Sequence, residues 1–570
     1  MKKLKSVLAL ILALAMLVPA GMSLADGADS SELTTVTVLG YNQGGARMGY
    51  FKDSKTYEWL VEKTHEMGID LQLDYVEADQ YSTTITTRLA TGVDLADMMF
   101  LEVDNVTLNN LINRGMLTSV DSILEHSDGT AAGFLAPDGE YATLRSAGTA
   151  ADGTFWVLQG INTGVYNIND WMGSYSVGIR QDWLDKLNLP MPTTTDEFID
   201  TLIAFRDNDA NGNGVQDEKA LFASDLSLLR HSGIAGWFGL IMNTIGLDPN
   251  TDEITTIFYQ DGFKDYITFV KKMVDAGVMS LADNGSLYTT DTSSLISQNN
   301  IGAMYFQTAT MFTRDDLTGD ENADYRPVYI QGSTVKPTCR GDYNLSVYNG
   351  YYAFMNSVDV EAAAKLLDFF FGEEYWRWNR DGLQGMDYDF DENGNIIYLH
   401  DGWTADQVIE NKSGSGRFYM DRANLPCFEI GRTYYTFNGE KVGSFATAAD
   451  LMASAYGQNE LAKCDKNDPT GKRRELQIAA WDQMEQKDAV MYQTNTATYL
   501  ALPTDEEVDT LDMYSADLDM AMTDLFVDLI NGEKSLDDLD TYLDELRAYG
   551  LDEVIGVYQA RYDRFKAVEE

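Results

Sequence analysis

Residues 34–42 read TTVTVLGYN, and this β-branched run ending in Gly-Tyr-Asn predicts a buried strand that enters a loop. The segments that follow continue the pattern as a helix over 50–68, a strand over 69–79, a helix over 81–92, a buried strand over 96–102 and a helix over 105–115. Strands and helices that alternate with such short connections form parallel sheets, so the sequence predicts an α/β domain.

The loops after these predicted strands carry the first candidate ligand-binding residues. In parallel sheets the loops at the carboxyl ends of the strands form the binding crevice. Here they hold the polar side chains of Tyr41, Asn42, Gln43, Arg47, Asp79, Gln80, Glu102 and Asp104. From this set we predict that ligand is bound by Asn42, Gln43, Arg47 and Glu102.

The composition indicates a folded protein with more than one domain. A chain of 570 residues is too long for one hydrophobic core, and its 44% hydrophobic content is typical of globular proteins. With 41 Lys+Arg against 90 Asp+Glu, the formal charge is −49, which repels nucleic acid and anionic lipid. The charge favours an extracytoplasmic protein with uncharged or cationic small partners, although solubility alone also explains it. The three cysteines Cys339, Cys427 and Cys464 allow at most one disulfide.

Residues 1–31 have the pattern of a secretory signal peptide. A basic start, an apolar run and a small-residue stop predict cleavage after Ala25, which makes residues 1–25 the signal. A retained anchor helix is the alternative, but the apolar run is short for a membrane span. We therefore expect an exported protein in the extracellular space or cell envelope.

Residues 207–218, DNDANGNGVQDE, gather oxygen donors in the spacing that calcium favours. One register matches an EF-hand with Asp207 as its first ligand and Glu218 as its twelfth. A second register uses the side chains of Asp209, Asn211, Asn213, Asp217 and Glu218 with the carbonyl of Val215. The segment after the loop, KALFASDLSLL, is a poor match to the exit helix of an EF-hand, which favours the second register. A metal-free Asn/Gly turn is the alternative.

Several aromatic residues are candidates for stacking on sugar rings. Trp156 and Gln159 are expected near a chain crossing into a second domain, Trp237 lies in a glycine-flanked loop, and Tyr305 and Phe306 end a predicted strand. Ordinary core packing is the alternative for each aromatic ring and is our assignment for Trp183, while Trp376 and Trp378 are ambiguous. An acidic sugar would need a cluster of cations, for which the candidates are Arg47, Arg180, Arg230 and Arg314.

Four stretches together resemble the extracellular solute-binding proteins, family 1 type, of carbohydrate ABC importers, in particular the calcium-containing alginate-binding receptors. They are LATGVDLADMMFLE (89–102), residues 179–218, NRDGLQGMDYDFDENGN (379–395) and residues 530–565. The resemblance departs from the family in two places. Met22 stands where a lipobox cysteine would be, and LADM at 95–98 replaces the usual proline-containing turn.

The resemblance implies a two-lobed α/β, periplasmic-binding-protein-like fold with an interlobe ligand cleft, a hinge motion and a helical C-terminal region. Lobe one would comprise 34–150 and about 310–372, and lobe two 151–309 and 373–570. The implied function is capture of an oligosaccharide, with a neutral or amino sugar favoured by the charge, and its delivery by a monomer to ABC permease subunits. A structural Ca²⁺ would occupy the register that begins at Asp209.

Two other functions compete with this interpretation. An enzyme is disfavoured because the sequence holds no G-x-S-x-G, H-E-x-x-H, Walker A or Rossmann fingerprint, and its four histidines are scattered. A secreted glycan-adhesion protein that works without a transporter is the main alternative, since the lipobox cysteine is missing. The sequence itself cannot name the sugar.

Overall fold

The computed structural model describes residues 33–42, 47–162, 176–222, 233–279, 297–306, 320, 322–340, 346–400, 403–420, 425–426, 434, 436–441, 455, 458, 479, 483–484, 486–492 and 500–569. The predicted signal peptide, Gln43, Arg230, Arg314, Cys427 and Cys464 lie outside these ranges. Cys339 is a buried free thiol, and burial raises its pKa to about 12.

The described strands, in chain order, are β1 (Thr34–Asn42), β2 (Ile69–Glu77), β3 (Met98–Leu101), β4 (Leu117–Thr118), β5 (Leu158–Asn162), β6 (Ser176–Arg180), β7 (Lys219–Phe222), β8 (Ile245–Asp248), β9 (Glu253–Thr256), β10 (Ile301–Phe306), β11 (Tyr325–Val328), β12 (Thr338–Arg340), β13 (Ser346–Met355), β14 (Tyr388–Phe390), β15 (Ile396–Tyr398), β16 (Thr436–Phe437), β17 (Glu440–Lys441) and β18 (Val490–Tyr492).

The described α-helices are α1 (Met48–Phe51), α2 (Lys55–Glu66), α3 (Ala78–Thr91), α4 (Asn105–Asn113), α5 (Val120–Leu124), α6 (Thr130–Phe134), α7 (Ala142–Ala147), α8 (Gln181–Leu187), α9 (Thr195–Asp207), α10 (Gly233–Trp237), α11 (Phe263–Asp275), α12 (Val360–Phe370), α13 (Glu373–Arg380), α14 (Ala405–Glu410), α15 (Gly416–Tyr419), α16 (Asp505–Asn531), α17 (Leu539–Ala548) and α18 (Leu551–Glu569).

The first lobe is built on a mixed sheet that has six strands among the described residues, in the order β2-β1-β3-β13-β4 with β5 also paired to β13. Strand β1 pairs in parallel with β2 and with β3, which confirms the parallel sheet expected from the alternation after residue 34. Apolar side chains such as Val36, Val38 and Leu39 are at most 2% exposed, because helices cover both faces of this part of the sheet.

The carboxyl ends of β1, β2 and β3 share one edge of this sheet, which we call the carboxyl edge. Strand β13 runs antiparallel to both β3 and β5, so β5 also ends at this edge. The chain leaves the first sheet after Asn162, continues in the second sheet at β6, and returns at Ser346. The carboxyl edge therefore faces the crossings between the two sheets, as expected for a binding crevice.

The second lobe has a four-stranded sheet within the described chain, in the order β11-β6-β10-β7. Its core surrounds Trp183, Trp237 and Phe269 and extends to apolar side chains of α16, including Phe526. Helix α18 packs against α7 of the first lobe and also against β9 of the second. The C-terminal region is helical, as the sequence predicts, and it contacts both lobes.

The predicted lobe boundary at residue 373 is wrong for the segment that follows it. Tyr375, Trp376, Trp378 and Tyr419 belong to the same buried core as the first sheet, and Trp378 Nε1 donates a 2.9 Å hydrogen bond to the carbonyl of Thr56. Residues 373–400 and 403–420 thus pack on the first lobe. An aromatic helix fits either core equally well by pattern, so the sequence does not decide which core it joins.

One helix start also differs from the sequence expectation. The pattern TTTDEF predicts Thr195 as the N-cap of α9, but Thr194 caps the helix. Its hydroxyl accepts from the Glu197 amide, and the Glu197 carboxylate accepts in return from the Thr194 amide, which completes a capping box. Three successive threonines offer equivalent caps, and the position of Glu197 selects one of them.

Replacing Gly350 with alanine is expected to destabilise the first lobe. Gly350 lies in β13 at an irregularity in its pairing with β5, and its φ of +124° is rarely adopted by residues with a side chain. An added Cβ would also overlap the ring of Phe100. Together these effects should lower the free energy of unfolding by about 1–3 kcal/mol in urea denaturation. The matched change Gly49→Ala, in open space on α1, should leave it nearly unchanged; equal effects would contradict the steric argument.

Candidate ligand cleft and calcium loop

The carboxyl edge of the first sheet gathers polar side chains from three strands. Asn42 Nδ2 donates to both carboxylate oxygens of Glu77, at 3.2 and 3.1 Å, and the Tyr41 hydroxyl donates to Glu102 Oε1 at 3.1 Å. Glu77 and Glu102 are exposed. The structure thus places Asn42 and Glu102 at one edge, as predicted from the loop argument.

Glu77 is a residue of this edge that the sequence reasoning missed. The sequence pattern points instead to Asp79 and Gln80 in the same part of the chain, whereas β2 ends at Glu77 and α3 begins at once. The parallel register sets Glu77 opposite Asn42, so the last residue of each strand was the available signal.

Three of the predicted cleft residues carry a buried polar atom that has no hydrogen-bond partner in the described part of the chain. These atoms are Asn42 Oδ1, Trp156 Nε1 and Gln159 Oε1. Buried polar atoms are nearly always paired in native proteins, so each unpaired one calls for an explanation. A bound ligand with hydroxyl groups would supply both donors and acceptors at these positions.

Gln159 lies close to the carboxyl edge on β5. It is 3% exposed and stands opposite Tyr351, which in turn stands opposite Leu101 at the end of β3. Burial raises the pKa of Tyr351, while the charge of Arg561 and a hydrogen bond with Gln159 oppose the shift. Gln159 and Tyr351 therefore form a polar pair beside the crossing strand.

Trp237 and Arg180, two of the candidates named from the sequence, are buried and contact other residues of the protein. Trp237 has no exposed surface and lies in the core of the second lobe, with its ring 5.3 Å from that of Phe198. This burial contradicts the prediction that Trp237 contacts ligand, and the flanking glycines serve close packing instead. Arg180, a candidate for acidic sugars, is likewise fully buried, and its guanidinium binds both carboxylate oxygens of Asp182 at 2.8 and 2.6 Å.

The remaining cleft candidates, Arg47 and Tyr305, lie in different parts of the fold. The guanidinium of Arg47 lies 4.3 Å from the centre of the Phe418 ring, and its Nη1 donates to the Phe418 carbonyl at 3.3 Å. Arg47 thus helps to hold α15 on the first lobe. Tyr305 lies in β10, opposite Val177 of β6, and its side chain is outside the described atoms. A ligand role for either residue stays a prediction.

The oxygen-rich loop connects α9 to β7. Helix α9 ends at Asp207, and the residues after the loop form a strand, so the exit helix of an EF-hand is replaced here by Lys219–Phe222. The carboxylate of Asp207 is bound 2.7 Å from Arg206 Nε, and this hydrogen bond lowers the pKa of Asp207. Its side chain is therefore turned to a partner outside the loop, which disfavours the register beginning at Asp207.

The side chains of the second register are held by hydrogen bonds within the loop. The Asp209 carboxylate accepts from the amides of Gly212 at 2.9 Å and Gly214 at 3.0 Å. Asn211 Oδ1 accepts from the Asn213 amide at 2.9 Å, and Asn213 Nδ2 donates to Asp217 Oδ1 at 3.1 Å. Gly214 has φ +82°, a left-handed turn that favours glycine.

Glu218 and Val215 complete this arrangement. Glu218 is 8% exposed, its Oε1 accepts from the Asn211 amide at 3.3 Å, and its Oε2 is buried without a hydrogen-bond partner among the described residues. The Val215 amide donates to Asn213 Oδ1 at 2.7 Å. An unpaired buried carboxylate oxygen beside several neutral oxygens fits a hard cation such as calcium.

The loop is fixed to the lobe from outside. Lys186 Nζ donates to the carbonyls of Asp209 at 2.7 Å and Ala210 at 3.1 Å, and Asn300 Nδ2 donates to the carbonyl of Asp217 at 3.2 Å. Within the described ranges, no group of three or more His, Cys, Asp or Glu side chains is gathered closely enough to hold a metal. A metal bound in the loop would therefore need asparagine side-chain oxygens and a backbone carbonyl as ligands in addition to the carboxylates.

A buried Ser-His-Asp cluster was not anticipated from the sequence. The Ser413 hydroxyl lies 2.6 Å from His400 Nε2 and also donates to Asp387. Asp387 therefore binds the serine directly and does not orient the histidine from its far side, as a nucleophilic triad requires. Ser413 is 1% exposed. The cluster is a structural hydrogen-bond network of the first lobe.

Comparison with known proteins gives no matching family model. The chain is 22% identical over 538 residues to the fructooligosaccharide ABC transporter substrate-binding protein FusA of Streptococcus pneumoniae, covering 90% of this chain and 88% of FusA. It is also 25% identical over 320 residues to lipoprotein LipO of Bacillus subtilis, which covers 52% of this chain. The chain spans 61% of the length of LipO.

Solved structures share the fold along nearly the whole chain. An HMO-binding solute-binding protein from Bifidobacterium longum infantis has a TM-score of 0.66 at 17% identity, with 94% of this chain and 99% of that chain covered. The EF-hand mutant of FusA with fructo-nystose has a TM-score of 0.64 at 18% identity, covering 94% and 100%. The alginate-binding protein AlgQ2, solved without calcium ion, has a TM-score of 0.60 at 15% identity, covering 94% and 99%.

In the described residues, no helix combines the length and the apolar composition that crossing a membrane would need. Of these two relatives, FusA is named as a substrate-binding protein and LipO as a lipoprotein. The sequence similarity to FusA over nine tenths of the chain and the shared two-lobed α/β fold agree with the resemblance first noted in the sequence. The chain is similar in sequence to the fructooligosaccharide substrate-binding protein FusA, and it has the fold of solute-binding proteins of carbohydrate ABC transporters.

Proposed function

We propose that this protein captures an oligosaccharide at the carboxyl edge of the first sheet and delivers it, outside the cytoplasm, to ABC permease subunits. The observation that carries the proposal is the pair of buried atoms on Asn42 and Gln159, at or close to this edge, that have no hydrogen-bond partner in the described structure; Trp156 Nε1, just before β5, is a third such atom. An indole, two carboxamides and exposed carboxylates are the side chains that stack on sugar rings and bind their hydroxyl groups. FusA, whose name gives fructooligosaccharides as its substrate, supports this class of ligand.

The charges at this edge favour a neutral or amino sugar. Glu77 and Glu102 are exposed there, and both would repel the carboxylate of an acidic sugar. The cations named from the sequence do not offset them where the structure describes them, because Arg180 is bound by Asp182 and Arg47 packs on Phe418. An alginate-like ligand is therefore disfavoured.

Titration of the mature protein with kestose, chitotriose and an alginate trisaccharide tests the proposal by calorimetry. We expect kestose or chitotriose to bind and the alginate trisaccharide to bind more weakly. Gln159→Ala should weaken binding about 10-fold to 100-fold, because it removes a buried hydrogen-bonding group worth about 1–3 kcal/mol. The control Glu62→Ala, on an exposed face of α2, should bind as the wild type does. Hydrolysis of any of these sugars would contradict the receptor function.

Delivery to a transporter is tested separately from binding. A receptor gene should lie beside two permease genes, and its deletion should abolish uptake of the sugar that the purified protein binds. Uptake that persists unchanged, together with loss of cell attachment to glycan, would instead favour the secreted adhesion protein.

We further propose that the loop holds a structural calcium ion through the side chains of Asp209, Asn211, Asn213, Asp217 and Glu218 and the carbonyl of Val215. The unpaired Glu218 Oε2 is the observation that supports it. The EF-hand of FusA and the calcium state of AlgQ2, both named for those structures, support the metal. The ion would tie the end of α9 to the start of β7.

A further inference from the structure

A cavity of about 470 Å³ opens on the first lobe between α2, α13 and the segment leading into β14. Its walls include Trp59, Glu373, Arg377, Trp378, Gln384 and Tyr388. None of the residues that line it belongs to the carboxyl edge described above. The volume lies within the range of small-molecule sites in proteins, about 300–1,000 Å³.

One wall of the cavity is aromatic. Trp59 is half-buried and stacks on Trp378, with the ring centres 5.7 Å apart and the planes 16° from parallel. Tyr388 and Phe390 form an edge-to-face pair across 5.6 Å. These contacts hold the rings rigidly, and because Trp378 and Tyr388 are at most 4% exposed, the half-buried rings of Trp59 and Phe390 offer the preformed apolar surface to a small ligand.

The charged groups of the cavity neutralise one another. Glu373 accepts from Arg377 Nε at 2.8 Å, and Glu374 pairs with Lys63 Nζ at 2.8 Å. Of these four groups Glu373, Glu374 and Arg377 line the cavity, and each carboxylate is paired with a cation, which weakens its attraction for an ion. They still present hydrogen-bonding atoms, and the exposed carboxamide of Gln384 adds both a donor and an acceptor.

Arg377 also has an unused donor in the described structure. Its Nη1 is buried and makes no hydrogen bond there, and it lies 3.8 Å from Asp381 Oδ2, too far for a hydrogen bond. Its Nε and Nη2 bind Glu373 and the Tyr434 carbonyl, so the guanidinium is fixed in place. A ligand hydroxyl would satisfy this remaining N–H group.

We propose that this cavity is an accessory site for one neutral sugar ring. The aromatic wall would cover the C–H face of the ring, Arg377 Nη1 would donate to one hydroxyl oxygen, and Glu373 and Gln384 would bind other hydroxyl groups. An anion would meet Glu373 and Glu374, and a cation would meet Arg377 and Lys63. The site stands apart from the cleft and does not depend on the cleft being occupied.

Saturation-transfer NMR with methyl α-glucopyranoside as the probe tests the site on the full mature chain. The cleft variant Gln159→Ala serves as background, so that residual binding reports on the cavity. We expect a dissociation constant of about 1–10 mM, the range of a weak single-ring contact. Adding Gln384→Trp, which fills the mouth from an exposed position, should weaken binding at least about 10-fold.

Two further measurements keep the result unambiguous. Glu373→Gln, also at an exposed position, should weaken binding of the probe. It should change the melting temperature no more than an ordinary surface substitution does. Gln384→Trp alone should leave kestose binding at the cleft unchanged. Probe binding that is unaffected by both cavity substitutions, or that is absent from the Gln159→Ala chain, would overturn the accessory site while leaving the proposed cleft function untouched.

Discussion

Removing calcium with EGTA is expected to lower the melting temperature of the wild-type protein, and adding calcium should restore it. The loop from Asp209 to Glu218 carries three carboxylates among its oxygen donors, and the buried Glu218 Oε2 has no hydrogen bond in the described structure to offset its charge. A cation bound there stabilises the folded state by about 2.7 kcal/mol when its free concentration is about 100 times the dissociation constant. Calorimetric scans with and without calcium measure the shift.

Single substitutions separate the two possible registers. Asp209→Ala and Asp217→Ala should lose the response to both EGTA and calcium, because each removes a proposed ligand. Asp207→Ala is the matched control: it removes an exposed carboxylate that binds Arg206, two residues before the proposed site, and it should keep the full response. A lost response in Asp207→Ala would favour the EF-hand register, and an unshifted wild type would count against calcium altogether.

The first sheet could be predicted because each of its strands carries its own signal. Runs of β-branched and apolar residues mark β1 and β3, and their short connections force parallel pairing, so the carboxyl edge with Asn42 and Glu102 follows from order alone. The oxygen-rich loop is similarly local, since all of its candidate donors lie within ten residues. Such features need no knowledge of distant contacts.

What could not be predicted depends on contacts between distant segments. Trp237 has the sequence context of a cleft residue, yet its ring fills a core built by Phe198 and Phe269, which are separated from it by tens of residues. The cavity near Trp59 requires residues from α2 and from α13, over 300 positions later. Burial, more than residue type, decides between core and site, and burial is a property of the whole fold.

The position of Arg180 shows the same limit for charged residues. Arg180 is one of the four arginines that the sequence offers for a cation cluster around an acidic sugar, but it ends β6 with no exposed side-chain surface. Besides Asp182, its Nη1 binds Asn299 Oδ1 at 2.6 Å, and its guanidinium lies 4.7 Å from the Trp183 ring centre. Burial lowers the pKa of Arg180, but the hydrogen bonds and charges of Asp182 and Tyr325 together outweigh this effect and raise the pKa.

Replacing Arg180 with methionine is therefore expected to lower the free energy of unfolding by about 3–5 kcal/mol, since it strands carboxylates that the folded lobe has partly desolvated. Urea denaturation at neutral pH measures the loss. The control Arg547→Ala breaks an ion pair of similar length, 2.6 Å to Asp544, but both of its side chains are well exposed, so a change of about 0–1 kcal/mol is expected. Equal losses of unfolding free energy in the two variants would show that the buried ion pair of Arg180 stabilises the protein no more than the exposed pair of Arg547.

The decrease of the free energy of unfolding at acidic pH provides a second measurement for Arg180→Met. Asp320 lies 3.7 Å from Arg180, and its pKa is lowered first by the amide of Asn322 and, more weakly, by Arg180. A carboxylate with a depressed pKa stabilises the fold above its unfolded pKa, near 3.8, and loses that contribution as the pH falls through its folded pKa. In Arg180→Met one cause of the depression is gone, so stability should fall less steeply below about pH 4 than in the wild type. A purely steric defect would lower the free energy of unfolding of Arg180→Met by the same amount at every pH, so its curve would run parallel to that of the wild type. The slope below pH 4 therefore distinguishes the electrostatic role of Arg180 from its packing.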